Sequence, residues 1–336
     1  MALNNQQRGR IFEWFVRRIL INCGFTQVVD DGRIVYKGPS GLMVHGLGQP
    51  HNTDVLVSPP FQIPFFYPSR LIIECKCYLD PVGLPDIRGT LGLREDINNF
   101  EIITQDILNK RKNYRRQDIA AYNMERYVYQ TAVAAISGFT FPAQEFALVH
   151  RIPLINIERI PFCKQFKDVL FNDKIQINKE VFQKIFSEDI PLTDHSDYKW
   201  VNDLKELMRI IENKFCVGVL QSGDLLFLYT DNDEKWVLNA KDIELHWSSD
   251  KRLWQITPRQ EMNRTKETWF ELPDILFEQW AEMKFDRENA LRMKESYFKY
   301  IYIMGRDTEG VARLQVIRLS KEFIDEAREH LKKNRS

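Results

Sequence analysis

Two short runs constrain this chain more than any other part of it. They are Thr53-Asp54-Val55-Leu56-Val57 and Leu71-Ile72-Ile73-Glu74-Cys75-Lys76-Cys77, with Asp54 and Glu74 twenty positions apart. Their aliphatic content predicts two buried strands, yet each takes in charge. Strand alternation places Glu74 and Lys76 on one face and Cys75 and Cys77 on the other. Desolvating an aspartate, a glutamate and a lysine is costly unless they act on one another or on a ligand. Two carboxylates and an ammonium meeting at strand ends have the composition to hold a divalent cation, a water and a phosphate.

Mg²⁺ takes oxygen ligands and commonly only one or two protein carboxylates, leaving its other positions to water and substrate. Asp54 and Glu74 suit the ligand role. Lys76 suits the positioning of a water or the neutralisation of charge as a phosphodiester is attacked. Plainer readings exist. Asp54 can be a strand-end turn residue, and Glu74 with Lys76 can be a solvent-facing edge pair. Asp is depleted in strands, and Leu71-Ile72-Ile73 reads as buried, so the site reading is favoured.

Around these runs the pattern predicts a mixed α/β sheet with a parallel pair of strands, flanked by helices. Phe12, Phe15, Val16 and Ile19 recur at helical spacing over Arg10–Ile21, with Cys23-Gly24-Phe25 as the stop. Short strands are expected near Val28 and over residues 34–36. A loop, His45 to Asn52, delivers the chain to Asp54. Pro59 to Pro68 is too proline-rich for a regular element, and its aromatics are expected to seal the core. A helix is expected from Pro85 to Asn98, a helical insertion over residues 100–127, a buried strand over Thr131–Ile136, a helix opened by Pro142, and a strand over 152–157. After about Cys163 the composition shifts, and six of seven Trp lie in the second half. Hairpin strands are expected at Phe215–Leu220 and Leu225–Tyr229 around Gln221-Ser222-Gly223-Asp224. Further strands are expected near 236–238, 243–247 and 300–303, with a closing helix from Ser320 carrying Phe323, Ile324, Ala327 and Leu331 on one face. The division is residues 1–165 and an α+β unit at 166–336, expected to serve recognition, regulation or assembly. The tryptophans are expected in its core rather than as a base-stacking platform.

Over residues 8–160 the chain resembles the restriction-endonuclease-like PD-(D/E)xK nucleases, and more narrowly the Mrr-type restriction endonucleases. The resemblance rests on four ordered segments: the helix Gly9–Val16 ending at Cys23-Gly24-Phe25, the loop Gly46–Asp54, Glu74-Cys75-Lys76, and Ser137–Ala147. It implies a Mg²⁺- or Mn²⁺-dependent DNA endonuclease of restriction or phage-defence type, with Asp54, Glu74 and Lys76 catalytic. It adds Glu13 as a third metal carboxylate and Gln144 as a residue reaching the site. Asn52 departs from the family, where many members have Gln after the loop histidine. A nuclease-silent nucleic-acid-sensing module, a junction-resolving enzyme and an RNA-cleaving relative are the alternatives.

Formal charge is zero, with 19 Lys+Arg against 15 Asp+Glu in residues 1–165, so no global field marks a nucleic-acid binder. Local phosphate contacts are assigned to His51, Lys110, Arg111 and Arg115. A solvated helix face for the basic run, and loop carbonyls for His51 and His45, are the competing readings. Five cysteines without paired metal spacing predict reduced, mostly buried thiols. No apolar leader or membrane-length run is found, which predicts a soluble cytoplasmic protein without membrane partners. Cutting both strands with one site per chain favours a homodimer, and a protein partner bound through the second half is a further expectation.

Overall fold

The computed structural model describes residues 3–39, 41–62, 65–100, 126–160, 163–172, 199–221, 223–230, 235–240, 243–248, 253–259, 266–272, 275–278 and 287–318, with isolated residues at 109, 112, 113, 182, 324, 325, 328 and 329. The first helix, α1 (Asn5–Asn22), is opened by Asn4. Its side chain accepts from the Gln7 amide at 2.8 Å, while Gln7 Oε1 accepts from the Asn4 amide at 3.0 Å. This reciprocal box satisfies two otherwise orphaned donors. Ile11, Phe12, Phe15, Val16 and Ile19 form the buried face. Gly24 ends the helix at φ +101°, where a side chain is disfavoured.

There follow β1 (Thr26–Gln27), β2 (Val35–Gly38), β3 (Gly41–Val44), β4 (His51–Asn52), β5 (Val55–Ser58), β6 (Ser69–Lys76), α2 (Leu84–Asn98), β7 (Val128–Ala135), α3 (Phe141–His150) and β8 (Leu154–Asn156). Five of these strands make a mixed sheet in the order β1-β5-β6-β7-β8, and β2-β3-β4 make a small sheet of their own. β5 is antiparallel to β6, whereas β6, β7 and β8 run parallel. The expected parallel pair is thus a parallel triplet. One face, with Val55, Val57, Ile73, Ala132 and Ala134, lies under α1. The other packs Leu56 and Ile72 with Leu93 and Ile97 of α2, and Val133 and Ala135 with Ala143 and Ala147 of α3. Cover on both faces explains why β7 is buried continuously over Thr131–Ala135 rather than in alternation.

The second half comprises α4 (Lys164–Leu170), α5 (Lys199–Lys214), β9 (Phe215–Leu220), β10 (Leu225–Thr230), β11 (Ile243–Ser248), β12 (Leu253–Pro258), β13 (Thr268–Phe270), α6 (Arg287–Tyr297), β14 (Tyr300–Arg306) and β15 (Ala312–Arg318). Its strands form one seven-stranded antiparallel sheet, ordered β11-β12-β13-β10-β9-β14-β15. The β9–β10 hairpin turns at Gly223, φ +94°. Trp236, Trp254 and Trp269 are buried, and the free cysteines 23, 163 and 216 are buried with them.

The core does not stop at residue 165. Phe166 stacks on Phe15 of α1 with ring centroids 3.9 Å apart. Met208 of α5, Phe215 and Val217 of β9, and Met304 of β14 join the α1 cluster. Arg8 Nε donates to the Leu170 carbonyl at 3.0 Å, and Arg306 Nε to that of Ile21 at 3.1 Å. One helix therefore serves both sheets.

Several local expectations are corrected. The Pro59–Pro68 aromatics do not seal the core: Phe61, Phe65, Phe66 and Tyr67 are exposed. The segment's described residues, all but 63 and 64, lie outside regular elements between β5 and β6, and the Gln62 amide exchanges hydrogen bonds with the Ser69 backbone at 2.8 and 3.0 Å. Trp236–Asn239 is a 3-10 turn rather than a strand, because its apolar run is buried by tertiary packing and not by strand pairing. Val28 lies just past the two-residue strand β1, its amide donating to the Leu56 carbonyl at 3.2 Å. The expected closing helix is described only at residues 324, 325, 328 and 329, which are helical, and the 100–127 insertion lies almost wholly outside the described residues. Among the described residues no helix is long and apolar enough to cross a membrane.

Candidate active site

The β5–β6 register fixes the site. Val55 faces Ile73 and Leu56 faces Ile72, so the next step brings Asp54, just before β5, opposite Glu74. Asp54 Oδ2 accepts a hydrogen bond from the Cys75 amide at 2.8 Å, which locks the aspartate to the neighbouring strand. Alternation then divides β6 by face. Cys75 and Cys77 pack into the α1 core, while Glu74 and Lys76 point to the α2 side and border a pocket of about 290 Å³ with Pro85, Asp86, Gly89 and Thr90. Lys76 Nζ lies 3.3 Å from Glu74 Oε2 and 3.9 Å from Asp86 Oδ1.

The electrostatics are those of a partly buried acidic cluster. Burial raises the Asp54 carboxyl above its usual range, offset in part by the Cys75 amide and Lys76. Burial and then the Asp54 charge raise Glu74, offset by Lys76 and His51. Lys76 responds in the opposite sense. Burial alone disfavours its charge, but Glu74, Tyr78 and Asp54 more than compensate and hold it protonated. Glu13 joins from α1. Burial first, then Asp54 and Glu74, push its carboxyl up to about 7 against Arg10 and Arg17. Asp54, Glu74 and Lys76 thus act on one another, and Asp54 and Glu74 act on Glu13.

His51 belongs to the scaffold of the site. Its Nε2 pairs with Asp96 Oδ2 of α2 at 2.7 Å. The same carboxylate accepts from the Gly48 amide at 2.8 Å, and the Asp96 carbonyl accepts from the Leu47 amide at 3.0 Å. A Cβ on Gly46 would collide with the Asp96 carboxylate and meet the Gln49 carbonyl at 2.7 Å. The glycine loop is therefore pinned to α2, with the His51 ring close enough to act on Glu74. His45 packs between the rings of Tyr36 and Phe100, centroids 4.7 and 5.5 Å away.

Gln144 is not aimed at the carboxylates. Its Nε2 donates to the Phe139 carbonyl at 3.0 Å, and it lines a separate cavity of about 90 Å³ with Asn156 and Phe227. Lys110, Arg111 and Arg115 lie outside the described residues. Two residues that sequence reasoning missed are Asp86 beside Lys76 and Asp96 beneath the loop. Both sit on α2, and the signal that could have found them is the helix directly following the Glu-x-Lys strand, which must fold back over the face carrying Glu74.

As to a metal, no three His, Cys, Asp or Glu side chains among the described residues are grouped so as to hold an ion. The Asp54–Glu74 pair fits the smaller demand of Mg²⁺ for one or two carboxylates. Both carboxylates are raised by burial, with Lys76 the nearby ammonium that partly offsets them, which is the setting a divalent cation relieves.

No protein-family model matches the chain, and no curated protein matches it. Among solved structures it is similar to the crystal structure of the protein of unknown function AF1548, at 17% identity and a TM-score of 0.32, over 52% of this chain and 76% of that one.

Proposed function

We propose that the chain is a divalent-metal-dependent endonuclease that hydrolyses DNA phosphodiester bonds, a member of the PD-(D/E)xK group of Mrr type. The observation that carries this reading is the placement of Asp54 opposite Glu74, with Lys76 on the Glu74 face and hydrogen-bonded to it. Asp54 and Glu74 would hold Mg²⁺ or Mn²⁺, and their charges act on Glu13. The ion, when bound, supplies Lewis acidity at the phosphate and lowers the pKa of a bound water.

The chain's own residues do the rest. Lys76, kept protonated by its carboxylate neighbours, places a positive charge where negative charge accumulates on the phosphoryl oxygens. Asp86, 3.9 Å from Nζ, helps to aim that ammonium. The Cys75 amide fixes one Asp54 oxygen and so orients the other. The Gly46–Gln49 loop, tied to α2 through Asp96, holds the approach to Asp54 in one conformation.

The test is cleavage of supercoiled and linear DNA by the purified chain with Mg²⁺ or Mn²⁺. Asp54→Asn, Glu74→Ala and Lys76→Ala are each expected to lower the rate by about 10²-fold or more, with the parent's circular dichroism spectrum retained. Variants that cut as fast as the parent would remove these residues from the site. Retained DNA binding with neither metal binding nor cleavage would favour a nuclease-silent sensing module.

A further inference from the structure

The core-facing surface of the seven-stranded sheet runs out beyond the helices that cover it. Tyr302, Met304 and Arg306 alternate onto the α1 side of β14, and register puts Val316, Leu314 and Ala312 of β15 beside them. Met304 is covered by the α1 cluster. Leu314 and Val316 are left 42% and 44% exposed. Among the described residues β15 is also the last strand of its sheet, so its apolar stripe lies beside an edge of backbone donors and acceptors that no other described strand pairs.

This stripe joins a second apolar surface. A Cβ on Gly24 would meet Ala312 Cβ at 3.3 Å and Pro60 Cβ at 3.5 Å, so β15 begins against the foot of the aromatic β5–β6 loop. On that loop Phe65 is fully exposed and Phe66 is 73% exposed. Phe65 has φ +71°, a backbone region that a bulky side chain enters only under strain. Scaled by exposure, with Phe61 at 38% and Tyr67 at 58% and roughly 150–250 Å² per aromatic side chain, loop and stripe together offer about 600–700 Å². That is at the upper end of the largest patch of a typical monomer and approaches one side of a stable dimer interface.

We propose that β15 pairs antiparallel with β15 of a second copy of this chain, forming a two-fold dimer with a sheet continuous across it. The strand is self-complementary in a register centred on Gln315. Leu314 then faces Val316 of the partner subunit on the α1 side of the sheet, and Ala312 faces Arg318 of the partner subunit. No two arginines stand directly opposite, so the like-charge penalty of cross-strand pairs is avoided. The aromatic loop, lying at the Ala312 end, is brought toward the opposite end of the other β15. There Arg318 already sits 5.5 Å from the Tyr300 ring centroid, and a guanidinium has affinity for further aromatic faces. A two-fold axis makes each such contact twice.

The pairing is independent of the catalytic reading, and it is tested by mass rather than by cleavage. Light scattering or sedimentation of the full chain is expected to give twice 39.9 kDa. The double variant Leu314→Glu/Val316→Glu is expected to give a folded monomer with the parent's circular dichroism spectrum, since both side chains are about half exposed in the single chain, and with a melting temperature that, unlike the parent's, does not rise with protein concentration. A Leu314→Cys/Val316→Cys variant is expected to form a disulfide-linked dimer under mild oxidation about tenfold faster than either single cysteine. A parent chain that is monomeric up to high micromolar concentration overturns the proposal, whether or not the patch then binds vesicles or another protein. So does a dimer that survives the glutamates.

Discussion

At Glu13 the site has a cost that pH controls. Its carboxyl is held up at about 7 by burial and by Asp54 and Glu74, against an ordinary value of 4.5. A folded-state pKa above the unfolded one means that folding takes up a proton between the two. The group's favourable contribution is complete below about 4.5 and is lost as pH rises through about 7. Glu13→Gln is therefore expected to stabilise the metal-free protein at pH 8 by about 1–3 kcal/mol, and the gain should fade toward pH 5. Urea or thermal melts of both proteins at several pH values measure it, and a gain independent of pH contradicts the burden placed on Glu13. On the proposed metal reading, the same charges are expected to make divalent cations stabilising. At pH 8, Mg²⁺ at a hundred times its Kd should add about 2.7 kcal/mol, and Glu74→Gln should abolish most of that increment.

The approach to Asp54 depends on an element with no repetitive structure, the Gly46–Gln49 loop, and on what α2 offers it. Gly46→Ala forces the Asp96 carboxylate and the Gln49 carbonyl to move, so it should cost about 1–3 kcal/mol. Gly92→Ala, in the same helix as Asp96 but with nothing within 4 Å, should instead stabilise by about 0.5–1 kcal/mol. Equal effects of the two substitutions in urea melts would mean that the loop is not braced as described. The contrast also marks where the sequence was legible. Asp54, Glu74 and Lys76 could be placed because a two-residue period and short separations decide which faces they occupy. Asp86 and Asp96 could not, since their roles depend on how α2 lies across β6 and on a contact 45 positions away, between His51 and Asp96. The Pro59–Pro68 aromatics misled for a related reason. Composition marks them as apolar, but only the position of the loop at the end of the sheet, and at the rim of β15, decides that they face outward.

On the scale of the whole molecule the change of composition near Cys163 marks a change of sheet and not a break in the core. α1 is the shared element: its one face packs Val55 and Ile73 of the mixed sheet, and Phe166, Met208 and Phe215 of the second half, in a single cluster. A hydrophobic cluster shared in this way couples the two sheets, because melting either one exposes the apolar face of α1 to water. Phe166→Ala removes the ring stacked 3.9 Å from Phe15 and should cost about 3–5 kcal/mol. That loss should appear equally in far-ultraviolet circular dichroism, which reports both sheets, and in tryptophan fluorescence, dominated by the second half. A chain cut after residue 165 should lack a cooperative melt, since α1 would then present to solvent the face that Phe166, Met208 and Phe215 cover. Two separate transitions in the intact chain, with Phe166→Ala moving only one of them, would show that the sheets unfold independently despite the helix between them.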